Sequence, residues 1–144
     1  MSYWDTSALA KLYLQETDSG AFRGLVVALA PVVTAHLTRH ELRTVLRRRE
    51  AEGAIVAGAA ALLYQDFESD IAAGLIVIQE ETDGVRQEFI QALELCFSAA
   101  PAVFVRTNDA LHIASAKAAG QTPLVTADLR QKAAAIHVGL SAQP

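Results

Sequence analysis

Two aspartates stand at the ends of segments whose composition predicts β-strands. Asp5 ends the short segment 2–5, and Asp128 comes just after the segment 123–126. In a parallel sheet the carboxyl ends of the strands share one edge, and ligands gather outside that edge. Each aspartate taken alone is explained as a helix N-cap, and Gln131 gives Asp128 the spacing of a capping box. Their common position predicts that both belong to one site.

A third acid, Glu41, interrupts the apolar side of a predicted helix. At 100° per residue, Leu37, Glu41 and Val45 fall within about 80° of one another. An acid on an apolar stripe must be paired, protonated or bound to a metal. Arg48 lies further along the same side, so a structural ion pair between Glu41 and Arg48 is the alternative to a metal site, and both stay open at this point.

A fourth acid, Asp109, is predicted in the first turn of a helix, with Thr107 as its expected N-cap. Acids are favoured there by the helix dipole, which explains Asp109 locally. His112 follows one turn later on the same face, but we interpret it as a packed, hydrogen-bonded helix residue, since no second histidine has ligand spacing. The other histidines are predicted at the surface or at the ends of elements: His36, His40 and His137.

The four acids can serve one function if they converge on one pocket. Converging carboxylates repel one another, which raises their pKa values and destabilises the fold unless a cation is present. Mg²⁺ and Mn²⁺ take oxygen ligands and therefore suit such a pocket. The chain has neither the paired thiolates nor the histidine cluster that zinc would require. The acids therefore favour a hard divalent cation.

The elements that would position these acids alternate between strand and helix. Strands are predicted at 2–5, 31–35, 75–78 and 123–126, and the segment 102–105 is either a strand or an extended connection. Helices are predicted at 8–14, 21–29, 37–52, 55–73, 82–98, 107–119 and 129–138, with a turn at 17–20. This alternation predicts a single α/β domain over residues 1–144, with a parallel sheet between helices.

The composition of the chain indicates its cellular compartment and the kinds of partner that it could bind. Apolar residues make up 52% of the chain and mean hydropathy is +0.25, so we expect broad buried helix faces or a partner such as a second copy or a bound peptide. No stretch is long enough to cross a membrane, no secretory signal is present, and the single Cys96 cannot form an internal disulfide. We therefore expect a cytoplasmic protein with Cys96 buried as a small hydrophobic residue.

The charge distribution leaves a nucleic-acid partner open. The net charge of −4 argues against phosphate binding, which favours basic surfaces. Five arginines nevertheless lie in one predicted helix: Arg39, Arg43, Arg47, Arg48 and Arg49. A solvated helix face and a phosphate-binding surface explain this run equally well.

Four segments together resemble the ordered signatures of the PIN-domain family. They are DTSALAKLY, HELRTVLRR, RTNDALHIASA and TADLRQKAAA, and they most resemble the VapC-type toxins of toxin–antitoxin pairs. The resemblance implies an α/β/α sandwich around a mainly parallel sheet and a metal-dependent ribonuclease. It maps the acidic set onto Asp5, Glu41, Asp109 and Asp128, with supporting hydroxyls from Thr6, Ser7 and Thr126. His40 and Asn108 depart mildly from the pattern but remove no acid.

The resemblance also implies a reaction and partners. We expect a toxin endoribonuclease that uses Mg²⁺, with Mn²⁺ able to substitute, and that leaves 5′-phosphate and 3′-hydroxyl ends. Arg43 and Arg47 are candidates for contacts with the RNA backbone, and Asn108 for a substrate contact. The implied partners are RNA, a small cognate antitoxin whose basic side chain enters the acidic site, and a second copy in a homodimer.

Two functions of other classes compete with this one. A catalytically weak binding module would act through dimerisation and antitoxin binding, with helix 55–73 as a contact face. Intact acids argue against that interpretation. A receiver-like domain also gathers acids at strand ends, but it needs a lysine at the end of a late strand. Thr126-Ala127-Asp128 offers none, and Lys132 lies inside the next helix, so we set this function aside.

Overall fold

The computed structural model describes residues 1–144, and strands alternate with helices along the chain. The strands are β1 (Ser2–Trp4), β2 (Val32–Ala35), β3 (Ile76–Gln79), β4 (Leu124–Val125) and β5 (Ala142–Gln143). The helices are α1 (Thr6–Tyr13), α2 (Ser19–Leu29), α3 (Leu37–Ala51), α4 (Ala59–Ala72), α5 (Asp83–Phe97), α6 (Thr107–Ala119) and α7 (Leu129–His137). None of these helices combines the length and the apolar character that crossing a bilayer requires.

The strands form one parallel sheet in the order β3-β2-β1-β4-β5. β1 is central, because Tyr3 is paired with Val33 of β2 on one side and with Leu124 of β4 on the other. The residues that follow β1 and β4 therefore emerge side by side at the same edge. The predicted α/β/α sandwich with a central parallel sheet is confirmed.

Neighbouring side chains on a strand enter two different cores, because they point to opposite faces of the sheet. Trp4 packs with Phe22 and Phe67 under α1 to α4, whereas Tyr3 packs with Ile113 under α5 to α7. Full burial of each such side chain contributes about 1.5–3 kcal/mol. Since β1 and β2 are buried on both faces, their sequences show no polar alternation.

The structure corrects the predicted start of the fourth helix. α4 begins at Ala59 rather than at Ile55, because Gly53 and Gly58 take the left-handed conformation with φ of +74° and +86°. The amide of Ala54 still donates to the Arg49 carbonyl at 2.9 Å, so the chain turns back on α3 before α4 begins. The sequence did not indicate this break between the two helices, because the surrounding segment is rich in alanine, which favours helix.

Further differences concern short segments. The segment 102–105 is the extended connection and not a strand, and the Val103 amide donates to the Cys96 carbonyl at 2.8 Å. The two-residue β5 was missed, because its pairing with β4 carries no periodic signal in the sequence. α2 begins at Ser19, inside the predicted turn. Cys96 is buried in the core beside α6 and α7, as expected.

Candidate active site

A cavity of about 840 Å³ opens at the carboxyl edge of the sheet, and all four predicted acids line it. Asp5 follows β1, and Asp128 comes after β4, the strand that pairs with β1. Glu41 comes from α3, and Asp109 comes from the first turn of α6. The topology thus brings acids from four separate segments to one place.

Asp5 is buried, with 4% of its surface exposed. One carboxylate oxygen caps α1 by accepting a hydrogen bond from the Ala8 amide at 2.9 Å. Ser7 Oγ donates to the carboxylate at 2.8–2.9 Å, and Thr126 Oγ1 lies 3.0 Å from Oδ2. Desolvation outweighs these contacts and the nearby His112 ring, so the pKa of Asp5 is raised above its ordinary value. Asp5 is therefore a helix cap whose ionised form is destabilised by its surroundings.

Glu41 is held by side chains from α1 and α6. Its Oε2 accepts hydrogen bonds from Thr6 Oγ1 at 2.5 Å and from His112 Nε2 at 2.8 Å, while Oε1 accepts from Asn108 Nδ2 at 2.8 Å. Burial alone would raise the pKa of Glu41, but the hydrogen bond and charge of His112, with the bonds from Thr6 and Asn108, hold it below its ordinary value. Arg48 forms no ion pair with Glu41, so the structural alternative is wrong.

His112 connects this acid to the centre of the sheet. The ring is 2% exposed, and its Nδ1 lies 2.8 Å from the hydroxyl of Tyr3 on β1. Nε2 carries the proton that it donates to Glu41, and the contact of Nδ1 with the tyrosine hydroxyl is satisfied in either direction, since that hydroxyl can donate or accept. The prediction of a packed, hydrogen-bonded histidine is confirmed. Its contact with Glu41 was missed, although its position one turn after Asp109 places it on the same side of α6.

Arg106 links the two remaining acids. Its Nε lies 2.7 Å from Asp109 Oδ2, and its Nη2 lies 3.3 Å from Asp109 Oδ1 and 2.8 Å from Asp128 Oδ2. Asp128 also caps α7, because its Oδ1 accepts from the amides of Arg130 at 2.8 Å and Gln131 at 3.3 Å. Sequence reasoning missed Arg106, although its spacing of three residues from Asp109 is that of a helical ion pair.

The donor atoms at this cavity fit a hard divalent cation. They are carboxylate and hydroxyl oxygens, which suit Mg²⁺ or Mn²⁺ better than zinc. As the side chains stand, no three acids or histidines converge closely enough to hold a metal ion. The reason is that Glu41 is turned toward His112, while Arg106 occupies Asp109 and Asp128. The donor atoms of these residues are of the type that such an ion binds. For three acids to bind one ion, some of their present contacts with His112 and Arg106 would have to break.

A family comparison agrees with the arrangement of elements and acids. The family model described as the PIN domain matches residues 2–136, which is nearly the whole chain. The chain belongs to the PIN-domain family. The predicted family is therefore confirmed.

Three solved structures match 93–100% of the chain. FitAcB from Neisseria gonorrhoeae has a TM-score of 0.71 at 19% identity and covers 100% of this chain and 97% of its own. VapC20 from Mycobacterium tuberculosis, described as a toxin that cleaves the sarcin-ricin loop, has a TM-score of 0.68 at 20% identity, with 93% and 95% covered. FitAB bound to an IR36 DNA fragment gives 0.70 at 17% identity, with 99% and 94% covered. No curated protein sequence matches the chain.

The three residues predicted to contact RNA occupy different places in this PIN domain. Asn108 lines the cavity, whereas Arg43 and Arg47 do not. The guanidinium of Arg43 lies 4.0 Å from the centre of the Tyr64 ring, and Arg47 pairs with Glu50.

Arg48, from the same arginine run, does line the cavity and has no carboxylate partner. It also borders a neighbouring groove that contains Lys11 and Arg49. Both of those cations pair with Glu16, so Arg48 is the cation at this border that is free to bind an external phosphate. Sequence reasoning grouped Arg48 with its neighbours, because the run alone does not show which arginine faces the site.

Proposed function

We propose that this PIN domain is a Mg²⁺- or Mn²⁺-dependent endoribonuclease and the toxin of a toxin–antitoxin pair. The observation that carries the proposal is the meeting of Asp5, Glu41, Asp109 and Asp128 in one open cavity. The VapC20 structure, which shares the fold, is that of an RNA-cleaving toxin. The carboxylate oxygens that meet there are the ligand type that a hard divalent cation prefers, which supports a metal site.

The acids have distinct roles in this proposal. Asp5 and Asp109 are the direct metal ligands, and Glu41 and Asp128 complete the site directly or through water. A divalent ion bound there supplies the positive charge that activates a water and stabilises the phosphodiester transition state. Ser7 and Thr126 orient Asp5, and Thr6 orients Glu41, through the hydrogen bonds that they make.

The substrate is bound from the basic side of the cavity. In this proposal Arg48 holds a phosphate of the RNA backbone, and Asn108, which lines the cavity and donates to Glu41, contacts a nucleotide. Water attacks phosphorus, and the bond to the 3′ oxygen breaks. The products carry a 5′-phosphate and a 3′-hydroxyl.

Exposed apolar side chains support the proposed protein partners. Leu62 on α4 and Ile90 on α5 are exposed, as are Phe97 and Phe104, whose rings meet edge to face with their centres 5.8 Å apart. Burying such side chains against another surface would stabilise a complex. We propose that these faces serve a homodimer and a cognate antitoxin.

RNA cleavage by the purified protein tests this function. We expect cleavage with Mg²⁺ or Mn²⁺, its loss on chelation with EDTA, and its loss in Asp109→Asn. Asp83→Asn, which removes an exposed acid on α5, is the matched control and should cleave like the wild type. Cleavage by Asp109→Asn and Asp5→Asn that is as strong as that of the wild type would refute the assignment and point to a contaminating nuclease.

The alternative, an inactive binding module, is separated by metal titration. A functional acid cluster should gain thermal stability with Mn²⁺, because an ion that binds only the folded state stabilises it. An inert module should show no such gain and no cleavage, while still binding its partner.

A further inference from the structure

Arg106 occupies an unusual place at the rim of the acidic cavity. It is the N-cap residue of α6, a position that was predicted wrongly for Thr107, and its backbone is extended with φ of −81° and ψ of 155°. It follows a connection that contains neither helix nor strand. Its side chain is 60% exposed, whereas the side chains of Asp109 and Asp128 are 14% and 23% exposed. The guanidinium therefore reaches inward from solvent to two partly buried acids.

A helical ion pair does not explain the whole arrangement. The contact with Asp109, three residues on, is common at helix starts and contributes little by itself. Arg106 also donates to Asp128 at 2.8 Å, and Asp128 belongs to a different segment, after β4. The fork of the guanidinium thus bridges two acids that are distant in sequence and that both line the cavity.

The bridge leaves these two acids without a free oxygen. Arg106 takes both oxygens of Asp109 and Oδ2 of Asp128. Asp128 Oδ1 accepts the amides that begin α7. A divalent cation that binds these carboxylates therefore either shares their oxygens with the guanidinium or displaces it, and displacement is favoured because two cations on the same oxygens repel.

We propose that Arg106 is a built-in counter-cation that pairs Asp109 with Asp128 in the metal-free protein and moves to the RNA phosphate when a divalent cation takes its place. The inference rests on the proposed function. The free-energy cost of this movement is small, because the long Arg106 side chain is largely exposed to solvent. A guanidinium beside a phosphodiester can donate two parallel hydrogen bonds to it. Arg106 is thus a positioning residue for the acids and, after the exchange, a phosphate ligand.

Mn²⁺ binding measured by calorimetry tests the first half of this exchange. Arg106→Gln should bind Mn²⁺ about 5- to 20-fold more tightly than the wild type, as expected when a competing pair of charged hydrogen bonds is removed. Arg130→Gln is the matched control: its Nε lies 3.9 Å from Asp128 Oδ1, but it does not line the cavity. Loss of one positive charge from either residue changes the overall field similarly, so the excess gain in Arg106→Gln reports the bridge.

Cleavage at saturating Mn²⁺ tests the second half. We expect kcat/KM for RNA to fall about 10- to 100-fold in Arg106→Gln, as for loss of a charged phosphate contact. Arg106→Lys keeps the charge but not the fork, so its Mn²⁺ affinity should stay near the wild-type value while cleavage falls. If Arg106 only supported the structure, Arg106→Gln would weaken both Mn²⁺ binding and cleavage. The exchange predicts instead that Arg106→Gln binds Mn²⁺ more tightly and cleaves RNA more slowly.

The outcomes separate this inference from the proposed function. If the wild type binds Mn²⁺ and cleaves RNA, but Arg106→Gln binds Mn²⁺ no more tightly than Arg130→Gln, the counter-cation role is overturned. Unchanged cleavage by Arg106→Gln at saturating Mn²⁺ overturns the phosphate role. A wild type that binds no Mn²⁺ overturns the proposed function itself and the inference with it. Circular dichroism of each variant confirms that it is folded.

Discussion

Replacing Asp5 by asparagine should stabilise the fold and abolish cleavage. The buried carboxyl has a raised pKa, so its ionised form lowers the free energy of unfolding at neutral pH. Asparagine keeps the shape of the side chain, and its oxygen can accept from the Ala8 amide and from Ser7. Its amide can donate to Thr126 Oγ1, which then donates to Gln131 Oε1 at 2.9 Å. The substitution therefore removes a buried charge and retains the hydrogen bonds.

The size of the effect follows from the burial of one polar group. An incompletely compensated buried group costs about 1–3 kcal/mol, and the hydrogen bonds around Asp5 offset part of this. We expect Asp5→Asn to gain about 1–2 kcal/mol, which corresponds to about 3–6 °C in Tm for a chain of this length.

The gain should depend on pH with a defined sign. Because the folded-state pKa lies above the ordinary value of 3.8, the cost of ionising Asp5 in the folded protein is fully present at pH values above the folded-state pKa. It declines as the pH falls through the folded-state pKa, and below 3.8 the carboxyl is protonated in both states. The difference in stability between Asp5→Asn and the wild type should therefore shrink on acidification.

Urea unfolding in the presence of EDTA, repeated from neutral to acidic pH, measures this difference. Asp83→Asn removes an exposed, ion-paired carboxylate and should change stability by less than about 0.5 kcal/mol. If Asp5→Asn is less stable than the wild type at neutral pH, the hydrogen bonds from Ser7, Thr126 and Ala8 more than compensate for burial, and the reasoning about Asp5 is refuted. Mn²⁺ should stabilise the wild type but not the variant.

Two further predictions concern other parts of the cavity. His112→Ala should lower the free energy of unfolding by about 2–4 kcal/mol in urea titration, because it leaves a cavity and removes a buried partner of Tyr3 and Glu41; an unchanged midpoint would show that the network is not needed for stability. Arg48→Gln should weaken RNA binding and reduce the magnitude of the slope of log K against log salt by about 1. Arg47→Gln, the adjacent residue outside the cavity, should leave that slope unchanged, and equal effects of both variants would contradict a specific phosphate contact by Arg48.

Sequence patterns were sufficient to predict the architecture, because the spacing of apolar residues reflects which side of each helix or strand is buried. The continuous apolar strands and the amphipathic helices predicted a parallel sheet between helices, and α6 has the predicted bounds of Thr107 and Ala119. The start of α4 was predicted too early, because the alanine-rich segment before it has a high helix propensity. The left-handed turn at Gly58 does not change the hydrophobic periodicity of the sequence. Two-residue β5 depends wholly on its partner strand.

The sequence by itself determined that acids follow two strand ends, that Glu41 interrupts an apolar stripe, and that four motifs occur in the order of the PIN family. Each of these is local or depends only on order along the chain. The tertiary structure alone decided which groups those acids contact. Glu41 bonds to Thr6 and His112 rather than to Arg48, and Arg106 bridges Asp109 to Asp128. Such contacts join segments far apart in sequence, so their distances are set by the packing of helices on the sheet and have no periodic signature.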